Sequence, residues 1–228
     1  MEVKVCGVMT CPRYSLTLTR NYIDRAFKAA GIPMRIKQGV FYGQCMQAML
    51  HDCLDDGADF VVTVDFDSLF GAHHIKRLLG VIVANPHIDA LASFQARRGM
   101  RYPLFTVAGQ GEVRFEGAPL QVTTAHFGLT VVRTAALRDT AKPWFKGEPS
   151  AVTGDYDEAR IDDDIWFWRQ WQSAGKTVYV DSGCRIGHVE EMVAYYTPEG
   201  EHKFAYPAEY IAENVTCDDA ISEVQANA

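Results

Sequence analysis

Asp65 and Asp67, separated only by Phe66, close the run Phe60-Val61-Val62-Thr63-Val64, four of whose five residues are apolar, three of those four β-branched. A strand buried on both faces reads this way, and the run is too short for a stable helix. In an open α/β sheet, ligands bind in the crevice beyond the carboxyl ends of the strands. Two carboxylates placed there suit a hard divalent cation, Mn or Mg, which in turn can carry a diphosphate. An Asp-x-Asp triplet arises by chance about once per ~250 residues at ordinary Asp usage, so the strand that leads into it gives it its meaning.

A second group of acids, Asp162-Asp163-Asp164, directly precedes Ile165-Trp166-Phe167-Trp168-Arg169-Gln170-Trp171. Helix capping accounts for one or two of the three, since an Asp at a helix start accepts backbone N–H bonds and complements the dipole. A helix start also holds a carboxylate rigidly over a pocket, which is what a general base requires. A third group lies beyond the apolar stretch Val178-Tyr179-Val180. There His188 follows another strand end, where a neutral imidazole completes a metal site as readily as it fills a structural role. Arg97, Arg98 and Arg101 follow a further strand and suit a diphosphate or an anionic acceptor, although a solvated charged loop reads the same way. Trp144 and Phe145, with Trp166, are candidates for stacking on an acceptor sugar or base. For Trp168 and Trp171 packing is the expected role.

These groups need elements to hold them. Val3 to Met9 reads as the first strand, followed by a loop and a helix from about Ser15 to Ala30, with Leu16, Ile23, Ala26, Phe27 and Ala30 on one face and Gly31 as its stop. Met34 to Lys37 is a short strand. Met46, Met49, Leu50, Cys53 and Leu54 trace a helical stripe that ends at Gly57. After the central strand, Ile75, Leu78, Leu79 and Ile82 mark a helix that stops before Pro86, and Asp89 to Phe94 is the next strand. Three strand–helix alternations imply right-handed crossovers and a mainly parallel sheet. Beyond this the rhythm changes. Thr106 to Gly117 is expected to be a hairpin turning at Gly109-Gln110-Gly111. Leu120 to Thr124 and Gly128 to Val132 are further strands. Lys142 to Asp157, rich in Pro, Gly and charge, reads as a mobile loop. A helix from about Asp164 to Ala174 leads through Gly175 to a strand at Thr177 to Asp181.

The chain has 228 residues, 48% of them hydrophobic and 22% charged, with a formal charge of -7. That balance fits one ordinary globular domain and argues against broad non-specific affinity for nucleic acid. No apolar run approaches the ~20 residues of a membrane span, and Met1 to Val5 reads directly as a strand rather than a leader. The six cysteines contain no Cys-x-x-Cys pair and sit in apolar stretches, so buried reduced thiols and a cytoplasmic setting are expected.

Taken in order, these features resemble the GT-A class of nucleotide-sugar glycosyltransferases, in particular the large inverting family with many small bacterial and phage members. Val8-Met9-Thr10-Cys11-Pro12-Arg13 resembles that family's first strand and nucleotide-contacting loop, and Asp65-Phe66-Asp67 its Asp-x-Asp motif. Asp163-Asp164 resembles its Glu-Asp pair, eleven positions before Gly175, Gly187-His188 its late His, and Phe127 to Arg133 the segment lining the donor-sugar pocket. The resemblance departs in two places. Lys37-Gln38-Gly39 stands where the family has an acidic contact to the nucleobase, and the pair is Asp-Asp rather than Glu-Asp.

The resemblance implies a single GT-A (Rossmann-like) α/β domain over residues 1–211, with a mixed, mainly parallel central sheet flanked by helices, and a polar tail at 212–228. Residues 1–95 form the nucleotide-binding half and 96–211 the donor-sugar and acceptor half. It implies a metal-dependent transfer of sugar from a nucleoside-diphosphate sugar, a UDP-sugar by expectation, to an acceptor hydroxyl with inversion. Asp164 is then the base beside Asp163, and Asp65, Asp67 and His188 hold the cation. Thr10, Pro12, Arg13, Gln38, Asp65, Phe66, Arg97 and Gly128 line the donor site. A soluble acceptor is expected (a glycan, small molecule or protein), with hydroxymethylated DNA as the alternative. A reading from another class is a non-catalytic sugar-nucleotide-binding module, which would tolerate loss of the base.

Overall fold

The computed structural model describes residues 3–12, 15–97, 102–107 and 117–214. The run that ends at Asp65 is β3 (Phe60–Asp65), in the interior of a seven-stranded sheet. Before it come β1 (Val5–Cys11), α1 (Thr17–Ala30), β2 (Met34–Gln38) and α2 (Tyr42–Asp55). After it come β4 (Ser68–Leu69), α3 (Ala72–Ala84), β5 (Ala90–Phe94), β6 (Phe105–Thr106), β7 (Leu120–Val122), β8 (Thr124–Ala125) and β9 (Leu129–Arg133). The series continues with α4 (Thr134–Asp139), α5 (Asp163–Ser173), β10 (Val178–Arg185) and β11 (Gly187–His188). The order across the main sheet is β2-β1-β3-β9-β5-β10-β7. β2, β1, β3, β5 and β10 run in one direction, and β9 and β7 run against them. The sheet is therefore mixed and mainly parallel, with helices on both faces.

Direction decides what lies near Asp65. Thr10 pairs with Asp65 and Cys11 with Gln38, so the carboxyl ends of β1, β2 and β3 share one edge. β9 is antiparallel to β3, with Leu129 opposite Val64. Its entry, His126 to Gly128, therefore reaches the same edge. This is the crevice where an α/β sheet receives ligands.

The two faces of the sheet are packed differently. On one, α1 and α3 bury Ile23, Phe27, Ile75, Leu78 and Ile82 against Val62, Val64, Leu91 and Val131. α1 follows its apolar stripe and stops at Gly31, whose φ of 71° is a left-handed cap that suits glycine. A Cβ at Gly7 would run into the Phe27 ring, so this glycine lets α1 lie close on β1. The other face is aromatic. Phe127 stacks on Trp168 at 5.2 Å, and Phe167 stacks on Phe145 at 5.1 Å and on Trp171 at 5.4 Å. Each such ring, fully buried, contributes roughly 1.5–3 kcal/mol or more. The buried indole N–H groups are satisfied by carbonyls: Trp171 donates to Thr177 at 3.0 Å and Trp144 to Thr140 at 3.0 Å.

Trp144 and Phe145 correct an expectation. Residues 142–157 are irregular, as their composition predicts, but the loop is anchored by these two rings, 1% and 7% exposed. Trp144 also stacks on His51 at 4.8 Å. α4 had no counterpart in the sequence reading. The turn of the expected hairpin, at Gly109 to Gly111, lies outside the described residues. Cys6, Cys11, Cys45, Cys53 and Cys184 are free and buried, as expected. Among the described residues no helix is long and apolar enough to cross a membrane.

The chain divides into two compact units, Met1–His188 and Val189–Ala228. The second contains β12 (Val193–Tyr196) paired antiparallel with β13 (His202–Ala205), then α6 (Pro207–Asn214). Tyr195 meets Tyr210 edge-on at 5.0 Å, which packs the hairpin on that helix.

Candidate active site

β3 ends at Asp65, and Phe66 and Asp67 make the tight turn into β4. Buried Thr19 on α1 donates its hydroxyl to the Phe66 carbonyl, which pins the turn from beneath. β4 then pairs antiparallel with β11, His188 opposite Ser68. That short ladder brings His188 Nε2 to 3.3 Å from Asp67 Oδ2, across 121 positions of sequence. Gln95, buried on the strand side, donates to Ser68 Oγ (3.2 Å) and to the Gly187 carbonyl (3.3 Å), tying the ladder to the end of β5.

The ring orientation of His188 is informative. Its Nδ1 lies 2.9 Å from the Ala96 carbonyl, an oxygen that only accepts, so Nδ1 carries a proton. In the neutral ring Nε2 is then an acceptor, yet it faces a carboxylate oxygen. Two acceptors so close call for something positive between them, a proton or a metal ion. A backbone carbonyl on one ring nitrogen and a metal on the other is the usual second-shell arrangement. Among the described residues no group of three or more His, Cys, Asp or Glu side chains is gathered for a metal. The Asp67–His188 pair thus fits a cation that takes its remaining ligands from phosphate and water, as Mg and Mn commonly do.

The second acidic group is divided in its contacts. Asp162 is the residue before α5 but makes no side-chain cap bond; it pairs instead with Arg160 at 2.8 Å. Asp163 Oδ2 accepts the Gly43 N–H at 3.1 Å. α2 has Phe41 at its N-cap and no side-chain cap of its own, so Asp163 supplies the missing acceptor from another helix. A Cβ at Gly43 would collide with that carboxylate, so this approach requires glycine. Asp164 is left. Burial pushes its carboxyl above the ordinary range, against the bond its Oδ1 accepts from the Ile165 N–H at 2.8 Å; the charges of Asp162 and Asp163 push the same way as burial.

Between these groups lies one cavity of about 850 Å³, in the upper part of the range usual for small-molecule sites. Thr10, Pro12, Asp65, Phe66, Asp67, Arg97, Asp163, Asp164 and His188 all line it. Gln38 is not in its wall, but its amide reaches the Pro12 carbonyl at 3.5 Å. Gly128 sits just behind Phe127, hemmed in by Gln95, His126 and Ser68. Arg13, Arg98 and Arg101 lie outside the described residues. The three proposed acceptor aromatics are not brought to the cavity. Trp144 and Phe145 are core residues, because their rings complete the aromatic layer rather than face solvent. Trp166 is half-buried, donating to the Pro143 carbonyl at 2.9 Å beneath Lys146.

Several residues in the wall carried no signal that was used. Tyr42, Tyr156, Arg160 and His126 line the cavity. His126 accepts the Gly128 N–H on Nδ1 at 2.9 Å and donates Nε2–H to the Ser93 carbonyl at 2.8 Å. Burial lowers its pKa to about 4, so the neutral ring is kept and fixes the entry to β9. Tyr42 was findable: it opens the helix after β2, and such βα junctions border the crevice.

No family model matches the chain, and a search of curated proteins also finds no match. Among solved structures, the crystal structure of A197 from STIV superposes with a TM-score of 0.58 at 13% identity, covering 86% of this chain and 92% of that one. TarS 1-349 from S. aureus gives 0.45 at 14% identity over 82% of this chain and 60% of that one. Glucosyl-3-phosphoglycerate synthase from Mycobacterium tuberculosis, in complex with Mn2+, UDP-glucose and phosphoglyceric acid, gives 0.45 at 13% identity over 83% and 72%. Only the first is near enough to bear on architecture, and at that identity it speaks to the fold alone. The fold is the GT-A arrangement that the sequence resemblance implies.

Proposed function

We propose that this chain is a divalent-cation-dependent glycosyltransferase that moves a sugar from a UDP-sugar to an acceptor hydroxyl with inversion. One observation carries the reading: Asp65, the Asp67–His188 pair and the half-buried Asp164 line the same cavity at the carboxyl edge of the sheet. Asp67 and His188 would hold Mn or Mg, which when bound offsets the charge developing on the departing diphosphate. Asp65 fixes the nucleotide, with Thr10, Pro12, Phe66 and Arg97 around it. Asp164 takes the proton of the acceptor hydroxyl as that oxygen bonds to the sugar carbon. The bond from the same carbon to the diphosphate oxygen breaks, and its electron pair leaves with the nucleotide. The carbon gains oxocarbenium character, and attack opposite the leaving group inverts it. Asp163 is a positioning residue, because the Gly43 N–H already occupies it.

A non-catalytic binding module would have no use for a half-buried acid beside the cation pair, which favours the enzyme. The acceptor is proposed to be a soluble glycan, small molecule or protein. The charge of -7 weighs against hydroxymethylated DNA. Calorimetric titration of UDP with Mn²⁺ and with EDTA tests the core of the reading. Tight binding only with the metal, together with UDP release from a UDP-sugar, is expected; equal affinity in both buffers removes the metal site. In a gel-shift series with plain and hydroxymethylcytosine DNA no retarded band is expected at moderate salt.

A further inference from the structure

Tyr42 stands at the first turn of α2 and has no part in the chemistry described so far. Its ring is held edge-on by Phe145 at 5.9 Å and tilted against Phe127 at 6.5 Å, both rigid members of the aromatic layer. The next residue, Gly43, is bonded to Asp163, so the same turn is tied to α5 as well as to the core. The side chain borders the cavity, in a wall it shares with Asp65, Asp163 and Asp164. Burial, and then the charges of Asp65, Asp164 and Asp163, push the phenol well above its ordinary pKa, so it keeps its proton. The result is a phenol O–H held by its packed ring in a wall that also carries the carboxylates of Asp65, Asp163 and Asp164.

We propose that the Tyr42 hydroxyl is a donor-sugar contact, hydrogen-bonded to the sugar of the nucleotide sugar between Asp65 and Asp164. The inference rests on the function proposed above. In that reaction the reacting carbon is bonded to the nucleotide's diphosphate on one side and attacked by the acceptor oxygen on the other. The transferred ring must therefore lie between the acid that fixes the nucleotide and the base that meets the acceptor. A sugar ring presents oxygens able to accept from a phenol, and its own hydroxyls suit the surrounding carboxylates.

Tyr42→Phe removes one oxygen and keeps the ring, so its melting temperature should stay that of the wild type. Both proteins are titrated in Mn²⁺ with UDP and with UDP-glucose, UDP-galactose and UDP-N-acetylglucosamine. At least one sugar nucleotide is expected to bind the wild type more tightly than UDP does. The variant should lose about three- to tenfold of that advantage, the worth of one neutral hydrogen bond, with UDP affinity unchanged. An equal loss for UDP and the sugar nucleotide puts the contact on the nucleotide and overturns the proposal. Unchanged affinities, or a wild type that binds no UDP-sugar better than UDP, overturn it too. Failure of the wild type to bind UDP with metal is a different result: it removes the proposed function itself, and this inference with it.

Discussion

Asp65 and Asp67 stand where a strand stops, Asp163 and Asp164 where a helix starts, and the two pairs line one cavity in different surroundings. At the strand end, Asp67 is 4% exposed and finds its neighbour in a histidine whose other nitrogen is already committed to the Ala96 carbonyl. Such a pair suits the cation of the proposed function. At the helix start, the Gly43 N–H occupies Asp163, and Asp164 is left in surroundings that disfavour its charge. Such a carboxylate suits the proton transfer of the proposed function. The proposed function gives the same side chain the part of a ligand at one place and of a base at the other, according to what its neighbours already hold.

The sharpest way to break this contrast is to remove the base. Asp164→Asn should lower UDP release from a UDP-sugar by roughly 10²–10⁴-fold, with UDP affinity in Mn²⁺ unchanged. If Asp164→Asn works at the wild-type rate while Asp163→Asn is dead, the roles have been assigned to the wrong acids. At the other pair the effect should fall on binding. Asp67→Asn is expected to weaken UDP in Mn²⁺ by at least about 10–100-fold, the cost of disturbing even an outer-shell partner, and to leave affinity in EDTA alone. A loss of similar size in both buffers would mean that Asp67 serves the fold rather than a metal.

Asp163→Ala separates position from chemistry. Loss of the acceptor for the Gly43 N–H should cost about 1 kcal/mol of stability, read as a lower melting temperature, because α2 has no other side-chain cap. An unchanged melting temperature would show that the bond at 3.1 Å does not hold the two helices together.

The smallest effect is a displacement in pH. Asp164 acts only as the carboxylate, and burial raises its pKa, so the rate should fall on acidification from a pH above the ordinary carboxylate range. An acid with a raised folded-state pKa binds more protons folded than unfolded, so its contribution to stability declines as pH rises through the unfolded value. Asp164→Asn should therefore melt slightly higher than wild type at neutral pH, and should lose the acid limb of the residual rate. An acid limb that persists in the variant would belong to another group.

The strand-end pair was legible because its signal is local: a β-branched run and two acids occupy eight consecutive residues. His188 could be singled out for the same reason, lying just past an apolar stretch. Its meeting with Asp67 could not, because that depends on a two-residue ladder between distant segments. Nor could the division of labour between Asp163 and Asp164, which is decided by an N–H 120 positions away. Trp144 and Phe145 misled for a physical reason. Their neighbours Lys142, Pro143, Lys146 and Gly147 mark a loop, and a loop it is. But two large rings bury enough apolar surface to pull an irregular segment into the core. Tyr42 was passed over because an aromatic residue at a helix start reads as packing, and its ring does pack.

The β4–β11 ladder has a bearing on how the protein is made. Asp67 and His188, which it brings together, leave the ribosome 121 positions apart, and the strands β9 and β10 that complete the sheet lie between them. A nascent chain carrying the whole nucleotide-contacting segment still lacks the histidine opposite Asp67, and so lacks the cation pair. On the proposed function the cation needs both Asp67 and His188, so a chain that stops short of His188 should hold UDP with Mn²⁺ more weakly than the finished protein. If UDP and Mn²⁺ bind as proposed, they should stabilise the finished molecule by mass action once His188 is in place. That binding then waits on a contact between distant segments, the kind whose loop closure is costly in folding.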